Sequence, residues 1–105
     1  MAGRRLRGSR GAHVSELSAP DADTLAAAIV AHYEESAPSE MLGAELDELS
    51  PDASTLVVRS VGATRSVVAT DRRFALRSSA AGWTVDAVEI RHHCREAALP
   101  DGTCR

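Results

Sequence analysis

A chain of 105 residues with a net charge of −3 has room for one domain and no more. Its longest apolar run, Leu25–Ala31, is seven residues long and mostly Ala, too short for a membrane span. Only Tyr33, Phe74 and Trp83 are aromatic, so a core must be built from Val, Leu, Ile and Ala, and a core that light gains from a staple.

Residues 1–10 carry four Arg, residues 11–58 carry ten acids and no Lys or Arg, and residues 59–105 carry eight Arg against five acids. Lys, Asn and Gln are absent while Ala and Arg abound, which reads as the composition of a GC-rich bacterial genome. The opening MAGRRLRGSRG buries too little to offset its ordering entropy, so residues 1–17 are expected to form a disordered basic tail and residues 18–105 a single domain. Arg4-Arg5 has the basic start of an export signal, yet no apolar stretch follows it. An exported protein with this sequence would therefore begin inside a longer precursor.

SAPDADTLAAAIVAHYEES is the clearest helix. Ser18 and Asp21 have capping-box spacing, Pro20 suits a first turn, and Leu25, Ile29 and His32 share one stripe. Ser36-Ala37-Pro38 ends it. In residues 39–49, Leu42, Leu46 and Leu49 fit a second short helix that Ser39 could cap, although Gly43 weakens it. The alternative is an edge strand with Ala44 and Leu46 on one face.

From residue 54 the period becomes two. STLVVRSV, TRSVVAT, RFALRS and WTVDAVEIRHHC read as four strands. Turns are expected at Gly62-Ala63, Thr70-Asp71-Arg72 and Ala80-Ala81-Gly82. The last strand slips phase: Trp83, Val85 and Ala87 share one face, Val88 and Ile90 the other. A β-bulge near Ala87-Val88 would return all of them to the core. The expected fold is α+β: an N-terminal helix, with a second short helix over 39–49, packed on a curved four-stranded antiparallel meander.

With its leading helix and the hairpins STLVVRSV and RFALRSSAAGWTVDAVEI, the chain resembles small cystatin-like and nuclear-transport-factor-2-like bacterial accessory domains over roughly residues 20–93. The resemblance implies a sheet wrapped around a helix. It carries over no catalytic residue.

Cys94 and Cys104 enclose REAALPDGT, in which Pro100-Asp101-Gly102 is a turn signal. A disulfide ranks first for this pair and implies an oxidising compartment. A metal set of His92, Cys94 and Cys104 ranks second, because residues two apart on a strand face the same way, but the spacing matches no strong zinc motif. A thiol nucleophile with His92 or His93 as base lacks an orienting group and ranks last. His93 would point away from the set and lie exposed. His32, Tyr33 and Trp83 form a candidate ligand pocket at the open end of the wrapped sheet.

The leading reading is therefore a non-catalytic, exported or envelope-associated binding domain locked by a Cys94–Cys104 loop. It would take a protein or a small ligand, with no cofactor. One alternative is a small metal-binding or pocket enzyme using His92, Cys94 and Cys104. Another is an intracellular accessory protein whose Arg4, Arg5, Arg7 and Arg10 contact nucleic acid. For that tail, with no interleaved aromatics, a solvated stretch or leader remnant is the simpler account.

Overall fold

The computed structural model describes residues 14–36, 41–62, 66–96, 99–100 and 104. A 3-10 turn, Val14–Glu16, leads into strand β1 (Ser18–Ala19), helix α1 (Ala22–Ser36) and strands β2 (Met41–Ser50), β3 (Ala53–Val61), β4 (Val67–Ser79) and β5 (Gly82–Cys94). The strands form one five-stranded sheet of order β1-β5-β4-β3-β2, and every neighbouring pair is antiparallel. The sheet curls into a half-barrel with α1 against one face.

The class is α+β, but the four-stranded meander is wrong on three counts. First, residues 41–50 are strand β2 and not a second helix. Leu42 and Leu46 face Ser60 and Leu56 of β3, and a spacing of four satisfies a period of two as well as a helical turn. Second, Thr70-Asp71-Arg72 is no turn. It lies within the 13-residue strand β4, whose alternation runs unbroken through Thr70, Arg72, Phe74 and Leu76. Third, Ser18-Ala19 adds a short edge strand by pairing with Thr84 and Trp83.

The folded body reaches back to Val14, which is buried in the core, and Leu17 packs on the same cluster. Residues 1–13, which hold the Arg-rich stretch, lie outside the described residues. Ser18 is not the helix cap. Asp21 takes that place: its carboxylate accepts from the Thr24 N–H at 2.7 Å and its carbonyl from the Leu25 N–H at 3.1 Å. The hydrogen bonds from Thr24 hold the Asp21 carboxyl below its ordinary value. At the other end the Ser36 hydroxyl donates to the His32 carbonyl at 2.6 Å.

Residues paired across strands share a face, so the register defines the inner face row by row. Leu46, Leu56, Phe74 and Val88 form one row, Ala44, Val58, Arg72 and Ile90 the next, and Leu42, Ser60, Thr70 and His92 the last. Leu25 and Ile29 of α1 close over Leu56, Val58, Phe74 and Leu76, all of them buried. The phase slip of β5 is resolved by a bulge. Ala75 pairs with Ala87 while Leu76 pairs with Val85, which leaves Asp86 as the extra residue, one position before the expected site. Trp83, Val85, Val88 and Ile90 therefore share the inner face. A second irregularity at Val68 bends the far end of β4.

The β4–β5 hairpin turns at Ala80-Ala81 and depends on Gly82. Its φ is +108°, and a Cβ there would meet the Ala19 carbonyl oxygen at 2.8 Å, because β1 crosses directly beside it. Gly82→Ala is expected to lower stability by about 1–3 kcal/mol and to loosen β1 from the sheet edge. Urea unfolding together with amide exchange at Ser18 and Ala19 checks this, and unchanged values for both would refute it.

Candidate functional site

The helix covers only part of the inner face. Beyond it, Val88 is 41% and Ile90 58% exposed, although their register partners Phe74 and Arg72 lie against Tyr33 of α1. An apolar strip on the core-facing side of a sheet that remains open to solvent is the most informative departure in this molecule, because large apolar side chains on that face normally end up covered.

The polar groups of this end come from three strands and the helix. Arg72 lies with its guanidinium carbon 4.8 Å from the centre of the Tyr33 ring, and its Nη1 donates to the Ser60 hydroxyl at 3.1 Å. Among the described residues no carboxylate pairs with Arg72. Ser60 and Thr70 are buried. The Thr70 hydroxyl lies 3.0 Å from His92 Nδ1, and among the described residues no hydrogen bond engages the other ring nitrogen of His92. Burial raises the Tyr33 phenol above its ordinary value, and the Arg72 charge works against that rise. The arrangement combines a guanidinium with no carboxylate partner among the described residues, a histidine ring and an aliphatic strip. Chemically, it can receive an anionic head joined to an apolar body.

The residues singled out from the sequence are only partly brought together. His32 and Tyr33 are in edge contact, ring centres 5.1 Å apart. Trp83 lines a separate cleft of about 220 Å³ with Asp21, Asp23, Leu46, Glu48 and Ser54, at the start of the helix. Ala22 and Tyr33 are eleven residues apart on α1, about 16 Å along its axis, so the three do not form one pocket. Cys94 and Cys104 are joined by a disulfide with a Cα–Cα distance of 5.1 Å. The bond consumes both sulfurs as thiolates and so removes the metal set and the thiol nucleophile proposed with His92. No group of three or more metal-ligating side chains occurs among the described residues. The expected turn at Pro100-Asp101-Gly102 falls partly outside them.

His93 is half-buried on the outer face, not merely exposed. Its Nε2 donates to Asp71 Oδ2 at 2.9 Å, while Arg59 grips the same carboxylate through Nε at 2.7 Å and Nη2 at 2.8 Å. The Arg59 hydrogen bonds, with help from His93, hold the Asp71 carboxyl well below the usual carboxylate range. A depressed carboxyl stabilises the fold above its unfolded value near pH 4, and that contribution is lost as pH falls below it. Asp71→Asn is therefore expected to cost about 1 kcal/mol at pH 7, and the gap to wild type should narrow below pH 4. Urea midpoints at pH 7 and pH 3 read this directly; a gap of constant size would count against it.

Arg72, Ser60, Thr70 and the open Val88–Ile90 strip were missed by the sequence reading, but one signal existed. Arg72 shares its alternation phase with Phe74 and Leu76, which puts a charge on the apolar side of a strand. No family model matches the chain, and no curated protein or solved structure shows significant similarity to it.

Proposed function

We propose that this protein is a non-catalytic binding domain of an oxidising compartment, exported or envelope-associated, that receives an anionic, partly apolar ligand or partner group at the open end of its inner face. The observation that carries the reading is Arg72, a guanidinium without a carboxylate partner among the described residues, set in the same row as the exposed Ile90. A partly covered charge that its own chain leaves unpaired gains most from an external anion. The Cys94–Cys104 disulfide supports the compartment, since such bonds persist where thiols are not kept reduced. The curled antiparallel sheet with one helix against it is what supports extending to the chain the resemblance to cystatin-like and nuclear-transport-factor-2-like domains.

Calorimetric titration with octanoate tests the site, with octanol as the uncharged control. Arg72→Gln is the informative variant, because its amide can still donate to Ser60. Octanoate is expected to bind wild type at least about tenfold more tightly than it binds Arg72→Gln, the change that follows from losing one charge-assisted contact. Octanol should bind both alike. Equal octanoate binding by the two proteins would overturn the assignment.

A further inference from the structure

The outer edge of β5 carries a second feature, which shares Val88, Ile90 and His92 with the open strip. Strand β1 pairs only with Trp83 and Thr84, and the Val14–Glu16 turn before it packs against β5, but from Val85 to His93 no described strand continues the sheet on that side. An uncovered strand edge is a template for another strand. The sequence of this edge is self-complementary about Ile90. In an antiparallel pairing of two β5 strands centred there, Glu89 faces the partner's Arg91 and Arg91 faces the partner's Glu89, both on the outer face. On the inner face Ile90 meets the partner's Ile90, and Val88 meets the partner's His92. Among the described residues neither Glu89 nor Arg91 has an ion-pair partner in its own chain. The opposite edge, β2, offers Glu45, Asp47 and Glu48 with no base, so its self-pairing would set acid against acid.

We propose that two copies of this chain associate through antiparallel pairing of β5 about Ile90, joining two five-stranded sheets into one and covering the exposed Ile90 side chains. The symmetry is two-fold and the interface isologous, so the same patch serves both copies and growth stops at the dimer. The contact is one strand pair, at the small end of specific interfaces, and the dimer is correspondingly weak.

Sedimentation equilibrium of the oxidised full chain over rising concentration tests this. The mass is expected to rise from 11.1 kDa towards twice that value. Glu89→Arg should weaken association at least about tenfold by setting like charges opposite each other, and the reversed pair Glu89→Arg/Arg91→Glu should restore it. In wild type, those amides around Ile90 that point away from β4 should exchange more slowly at high concentration than at low, a readout that needs no variant. A chain that stays monomeric to about 1 mM, association indifferent to Glu89→Arg, failure of a folded double variant to restore it, or a larger assembly would each overturn the proposal. Octanoate binding by wild type and Arg72→Gln, compared at a concentration where the chain is monomeric, is read separately from these outcomes.

Discussion

Replacing Phe74 with Ala is expected to lower stability by about 3–5 kcal/mol and to lower the melting temperature by more than about ten degrees. Phe74 is completely buried at the centre of the inner face, between Leu56 on β3 and Val88 on β5, with the Tyr33 ring tilted against it at 6.1 Å. No neighbour can fill the space it would vacate. The cluster holds few large side chains, and helix α1 contributes Leu25, Ala26 and Ile29 as its buried residues. A domain of this size has about 5–10 kcal/mol in hand, so the loss takes about a third of that or more. Phe74→Leu, which keeps most of the volume, should cost far less. Thermal melts of both variants check the contrast, and a Phe74→Ala protein melting within a few degrees of wild type would show that the core lies elsewhere.

Opening the Cys94–Cys104 disulfide is the second large effect. The bond closes a loop of ten residues' separation at the end of β5. On the chain-entropy treatment, releasing such a loop costs about 2–3 kcal/mol. Because the bond ties Cys94, the register partner of Val67, the loss should begin at the Val67–Cys94 end of the β4–β5 pair and reach His93 and its bond to Asp71. Urea unfolding with and without reductant, compared with a Cys94→Ser/Cys104→Ser variant, gives the value. Oxidised protein should unfold at the higher midpoint, and the reduced protein should match the double variant. Coincident curves for oxidised and reduced protein would contradict the pinning role.

What the sequence disclosed was local. Helix α1, strands β3 and β5, the Ala80-Ala81-Gly82 turn, the bulge beside Ala87 and the cysteine pairing each leave a mark within a dozen residues: a stripe, an alternation, a phase slip, a turn between two thiols. What it hid was relational. Leu49 seemed to extend a helical stripe from Leu42 and Leu46, but the β2–β3 register shifts between Glu48 and Ser50, and Leu49 is 67% exposed. Thr70-Asp71-Arg72 has turn composition, and only Arg59, twelve positions earlier, and His93, twenty-two later, explain an Asp within a strand. The two residues of β1 are too few to carry a period. Val88 and Ile90 sit on the face that alternation assigns to the core, and nothing local says that α1 stops short of them. The candidate site thus arises where a correct strand assignment meets the limited reach of the helix.

The central claim is that the open end of the inner face is the working surface. A backbone amide chemical-shift map of the oxidised protein titrated with octanoate tests it most directly. Shifts should concentrate at Ser60, Thr70, Arg72, Val88, Ile90 and His92 and spare the outer-face residues Glu45, Thr55 and Arg73. Shifts centred on the Trp83 cleft, or on the outer face around Asp71, would contradict it.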